Sequence, residues 1–198
     1  MGIQSRRERE RAERHRLIID TARQLAETEG WDAVTVRKLA DRIEYSQPVL
    51  YSHFAGKRAI VTAVAEDGIG VLAATMRRAR ESAATDAEAL DAVTRAYSDF
   101  ATDQPALYDA IFAMPTDLAF GPGAPESLQA AFGELIAVFG PLAGDADVET
   151  FTETCWSALH GLVTLERDGR LRPGHREQRL EILRNSLRRT RDPSGQPR

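Results

Sequence analysis

The sequence predicts an all-α fold of about nine helices, and two observations carry that expectation. Apolar residues recur at three- and four-residue intervals through most of the 198 residues, and no apolar run alternates with polar residues between turn signals as a half-buried strand would. Composition agrees with one globular chain: 42% of residues are apolar and 28% charged, and 14 glycines with 9 prolines exclude a collagenous repeat or a wholly disordered polymer.

The first helix is written in the apolar pairs Leu17/Ile18 and Leu25/Ala26, with Thr21/Ala22 between them, four residues apart. Gly30 is placed to end it in a left-handed conformation. Upstream, Glu10 and Arg14 can pair at i,i+4. Thr35 is positioned to cap a second helix with Val36, Leu39, Ala40 and Ile43 inward, and Ser46 to cap a third over residues 47–53. A fourth helix is expected from near Lys57 to about residue 83, weakened midway by Gly68 and Gly70, each costing roughly 1 kcal/mol relative to Ala. Asp86, Pro105, residues 121–125, residues 141–145 and Pro173-Gly174 punctuate about five more, and residues 191–198 read as a disordered tail.

The net charge of −4 hides a division: residues 1–58 carry +3, residues 59–168 carry −13 and residues 169–198 carry +6. A polyanion is drawn to the first segment and repelled by the middle one. The domains expected are therefore residues 1–58, a small three-helix unit, and residues 59–190, a larger helical unit. Cys155 is the only cysteine, which excludes an intramolecular disulfide and a multi-cysteine zinc site, fits a reducing cytoplasm, and reads as a small buried apolar residue. The Arg- and Glu-rich start lacks the apolar core of a signal peptide. No uninterrupted apolar run approaches the ~20 residues that span a bilayer, so no membrane partner is expected.

The most specific segment is residues 35–54, TVRKLADRIEYSQPVLYSHF: a short helix, a three-residue turn and a second short helix. This is helix-turn-helix spacing. Ala40 permits close approach of the helices and Ile43 and Leu50 can meet beneath the turn. Gln47, Val49, Tyr51, Ser52 and His53 are then left outside, where the second helix can enter a major groove. The first helix, TVRKLA, SQPVLYSHF and Lys57 together resemble the TetR family of bacterial transcriptional regulators over about residues 10–65. The resemblance implies base readout of double-stranded operator DNA by Arg37, Gln47, Pro48 and Val49, with Thr35, Tyr51, His53 and Lys57 mainly on phosphates. Side-chain chemistry supports those roles: Arg offers two donors to guanine, Gln matches adenine, and Pro or Val packs on a thymine methyl. Tyr51 and His53 also fit as structural side chains of the small domain, and the charged helix start before Leu17 fits equally a solvated extension or a DNA contact. Glu44 stands where many family members have a turn glycine, so a left-handed backbone there would cost roughly 1 kcal/mol.

From Tyr97 onward, YSDFATDQPALYDAIFAMP and WSALHGLVTLERDGR resemble the TetR-type C-terminal domain named for its Trp-His-Gly signature, here Trp156, His160 and Gly161. That implies a helical domain for dimerisation and for binding a small-molecule effector. Phe100, Tyr108, Phe112, Trp156 and His160 are the candidate ligand-binding residues, although any helical bundle needs such side chains in its core. His160 reads as a packed, hydrogen-bonded histidine rather than a metal ligand. Val148, Phe151, Cys155, Leu159 and Leu162, with Leu180, Leu183 and Leu187, form seams suited either to a homodimer interface or to burial within one chain. A dimer would read two half-sites about 34 to 36 Å apart, or a multiple of that spacing.

The expected function is a transcriptional regulator, a repressor released from a palindromic operator by an uncharged or cationic, largely apolar ligand. The alternative is a helical small-molecule- or partner-binding protein that has lost operator recognition, for which Glu44 is the supporting feature. No phosphate loop, metal-ligand cluster or nucleophile-base pair appears in the sequence, so no catalytic residue, metal or cofactor is expected.

Overall fold

The computed structural model describes residues 3–190, and among these it contains nine α-helices and no strand. The expected tail, residues 191–198, lies outside the described residues. The helices are α1 (Ile3–Glu29), α2 (Val36–Arg42), α3 (Gln47–Tyr51), α4 (Lys57–Glu81), α5 (Asp86–Asp103), α6 (Pro105–Phe112), α7 (Glu126–Phe139), α8 (Val148–Arg167) and α9 (Arg176–Thr190). Single 3-10 turns lie at Trp31–Ala33, Gly121–Gly123 and Gly140–Leu142. The helices divide into two compact units: Met1–Ile69 with Gln104–Pro125, and Gly70–Asp103 with Glu126–Arg198.

The first unit is built on Ile18, Ala22 and Leu25 of α1, which are completely buried, and on Leu39, Leu50 and Phe54, which are buried in the same unit. Burying each of the large side chains contributes roughly 1.5–3 kcal/mol. Gly30 ends α1 with φ 81° and ψ 162°, an extended conformation of positive φ rather than the left-handed helical one expected. α6 also belongs to this unit, beyond the boundary drawn at residue 58. Its first turn is held by α1 and the 3-10 turn: the indole of Trp31 donates to the Ala106 carbonyl (2.9 Å), and the Ala106 N–H donates to the Glu27 carboxylate (3.2 Å). That carboxylate satisfies one of the amides a helix start leaves without an intrahelical partner.

Helix α4 passes through Gly68 and Gly70 without a break. A Cβ on Gly68 would come within 3.1 Å of Leu107 Cδ2 and 3.3 Å of Ile111 Cδ1, so this glycine admits α6 rather than loosening α4. By length and composition α4 could cross a membrane, although Glu66 and Asp67 interrupt its apolar run, as expected from the sequence. Half of its apolar stretch is buried in the protein, as for a core helix.

In the second unit α7 and α8 pack on each other and on α5, with Tyr97, Phe139 and Leu159 deep in the core. Glu134 of α7 is buried, and it bridges two arginines of α4, Arg77 Nε at 2.8 Å and Arg80 Nε at 2.7 Å. Burial pushes this carboxyl upward, but the hydrogen bonds from Arg80 and Arg77 outweigh it and hold the group below the ordinary carboxylate range. α9 is attached largely by ion pairs. Buried Arg184 reaches Glu177 (2.7 Å) and Asp91 (3.1 Å), and Arg188 joins Asp91 at 2.6 Å. Cys155 and Leu159 of α8 and Leu180 of α9 are buried within the chain itself, so these members of the expected seams are core. Burial pushes the Cys155 thiol up to about 11.

Candidate nucleic-acid interface

Local chemistry fixes the geometry of residues 35–54. The Thr35 hydroxyl accepts the Lys38 N–H at 3.1 Å and so caps α2 as expected. Ser46 occupies the corresponding position before α3, but its side chain makes no capping bond. α3 stops at Tyr51, two residues short of the expected end, and the connection from α2 spans residues 43–46, one more than expected. Glu44 in that connection has φ 58°. The Tyr45 N–H closes onto the Ala40 carbonyl at 3.0 Å, a helix-ending arrangement in which glycine is the usual left-handed residue.

Leu39, Leu50 and Phe54 face the core, whereas Thr35, Arg37, Gln47, Pro48 and Tyr51 are exposed. Val49, His53 and Lys57 are half-buried. Tyr51 is 56% exposed, leaving its hydroxyl accessible. Arg37 makes only a loose 4.0 Å pair with Asp41. Lys57 donates to the Trp31 carbonyl, which ties α4 to the 3-10 turn after α1, and an ammonium group has further donors for a phosphate. His53 lies between its neighbours, its ring centroid 6.1 Å from that of His15, and its Nδ1 is buried without a hydrogen-bond partner among the described residues. Burial, then the charges of Arg11, His15 and Arg14, push the pKa of this imidazole below its ordinary value.

The five candidate ligand residues divide between the two units. Tyr108 and Phe112 belong to the first, with ring centroids 4.8 Å apart. Phe100, Trp156 and His160 belong to the second. Phe100 and Tyr108 are buried, while Trp156 and His160 are half-buried. Tyr97, which the sequence reading passed over as a site residue, joins the last two: the Trp156 indole donates to its hydroxyl (3.0 Å), which lies 2.9 Å from His160 Nδ1. Thr164 Oγ1 lies 3.4 Å from His160 Nε2. A neutral imidazole accepting the phenolic hydrogen satisfies these groups, and burial lowers its pKa accordingly. The tyrosine is about sixty residues from its partners, so no local spacing signals the contact.

Residues 18–64 match the bacterial regulatory proteins of the tetR family, and residues 90–189 match the tetracyclin repressor-like C-terminal domain. The chain belongs to the TetR family of transcriptional regulators. It is 31% identical over 160 residues to the uncharacterized HTH-type transcriptional regulator Rv0681 of Mycobacterium tuberculosis, covering 77% of this chain and 69% of that one. The tetracycline repressor protein class C of Escherichia coli is 45% identical over 49 residues, 25% of this chain and 22% of that protein. Among solved structures, a protein of unknown function from Rhodococcus sp. RHA1 shares the fold with a TM-score of 0.72 at 22% identity, covering 88% of this chain and 93% of that one. This TetR-family chain is thus a DNA-binding regulator, and family and fold point away from an enzyme.

Proposed function

We propose that the protein acts as a homodimer on a palindromic operator, reading bases with Arg37, Gln47, Pro48 and Val49 and holding phosphates with Thr35, Tyr51, His53 and Lys57. The observation that carries this reading is the exposure of Arg37, Gln47, Pro48 and Tyr51 around a short helix whose Leu50 is anchored in the core. Chromosomal DNA as partner implies a cytoplasmic location. A small, largely apolar effector then favours a conformation that fits the operator less well, giving repression that the ligand relieves. The aromatic side chains Phe100, Tyr108, Phe112, Trp156 and His160 support a ligand-responsive domain, and Trp156, His160 and Gly161 support its assignment to the Trp-His-Gly type.

The test is a pair of substitutions on DNA selected by the protein from a random-sequence library. Gln47→Ala is expected to relax preference at one operator position by about 1 to 3 kcal/mol. Lys57→Ala is expected to weaken all sequences alike and make the salt dependence shallower, with some loss of stability because the Trp31 carbonyl loses its partner. Equal losses on every sequence from both variants would refute this division of roles, and failure to select any sequence would favour the reading in which operator recognition has been lost.

A further inference from the structure

The inward face of α1 is set by the fully buried Ile18, Ala22 and Leu25. Residues four, seven and eleven positions before Ile18 lie on the same face of a helix, and here they are Arg14, Arg11 and Arg7. The stripe therefore changes from apolar to guanidinium where the three-helix core ends, and the first turns of α1 extend beyond that core. The change occurs beside the end of α3. His15 stacks on Phe54 with ring centroids 4.4 Å apart, and His53 lies next to it.

Arg7 and Arg11 are exposed and have no ion-pair partner among the described residues. Arg14 is half-buried and shares Glu10 with Arg6. Glu13 lies on the opposite side of the helix, and Glu8 only borders the stripe. Residues 7–14 precede the part of the chain that matches the tetR family, which begins at residue 18.

We propose that Arg7 and Arg11 form a phosphate-binding rail that holds the sugar-phosphate backbone of the duplex flanking each half-site. This inference rests on the operator-binding reading above. Guanidinium groups on a rigid helix bind phosphate oxygens well, and phosphate contacts carry no base preference, so the rail adds affinity and footprint without altering the sequence read by α3. A polyanion supplies the negative charge that an Arg face turned toward the side on which α3 ends lacks.

The test uses the full chain and the duplex it selects from a random library, prepared with about 3 or about 12 flanking base pairs on each side. The Arg7→Gln/Arg11→Gln double variant is expected to match the unaltered protein on the short duplex. On the long one it should bind more weakly at low salt, with base preference unchanged and with a salt slope shallower by about 0.9 for each phosphate that is no longer neutralised. Arg7→Lys/Arg11→Lys, which keeps the charge, should restore most of the slope. Identical affinity and slope for the Gln variant and the unaltered protein on the long duplex would overturn the rail. Should no sequence be selected, the operator reading fails, and the same slope comparison on a long non-specific duplex still decides the rail, because phosphate contacts do not depend on sequence.

Discussion

Replacing Glu44 by glycine should make this protein more stable. Glu44 is exposed, has φ 58°, and occupies the position at which α2 is closed by the Tyr45 N–H to Ala40 carbonyl bond. A side chain in a left-handed backbone costs roughly 1–2 kcal/mol, and glycine removes that cost while adding roughly 0.5–1 kcal/mol of chain entropy to the unfolded state. The net gain is about 0.5–1 kcal/mol, or a rise of about 1–4 °C in Tm for a chain of this size. Glu44→Gln keeps the backbone strain and removes only the charge, and Glu44→Asn introduces a residue that tolerates the left-handed region. Thermal and urea melts should rank Gly above Asn, and Asn above Gln and the unaltered protein, which should be equal. Binding to duplex DNA separates the second effect: Gly and Gln should both bind more tightly at low salt, since both remove a carboxylate beside the helix-turn-helix, and the gain should fade as salt screens it. Equal melting of the Gly and Gln variants would refute the strain argument, and an unchanged affinity in both would refute the electrostatic one.

Acid should loosen the second unit. Hydrogen bonds from Arg95 and Arg184 hold Glu177 down to about 2, and a carboxylate depressed on folding contributes stability that is present above its unfolded pKa and lost as pH falls through the folded value. Urea melts between pH 5 and pH 2 should show that loss, and Glu177→Gln should flatten it only in part because Glu134 is depressed in the same direction; an unchanged pH profile would contradict the role given to Glu177. Aspartate at two kinds of apolar position separates core from interface. Leu159→Asp buries a charge at a position with 0% exposure and should abolish cooperative folding; Ile182, 60% exposed on the side of α9 away from buried Leu180, is apolar surface that a homodimer would cover, and Ile182→Asp should leave helicity intact and dissociate the dimer in sedimentation. If the Ile182→Asp variant stays a folded dimer, the homodimer interface lies away from that side of α9.

The helix-turn-helix was legible because its determinants are close in sequence. Thr35 caps an amide three residues on, Leu39 and Leu50 flank one short connection, and the strain at Glu44 follows from a helix ending where no glycine is available. Periodicity likewise indicated an all-helical chain and placed its first four helices, and turn residues set off about five more, since each helix depends on side chains three or four residues apart. It could not assign those helices to units or say which apolar stripe meets which. α6 joins the DNA-reading helices through a bond between residues 31 and 106, and the Gly68 that looked like a weak point is the surface α6 rests on. Leu159 and Cys155 fit an interface and a core equally well as a pattern, and only their burial within the chain assigns them to the core. Polar side chains were the least legible. Glu134 and Arg184 have the composition of a solvated surface, but each is buried because oppositely charged partners on another helix, tens of residues away, satisfy it. Local sequence fixes which backbone segments become helical, whereas the compensation of a buried charge exists only once distant helices have packed.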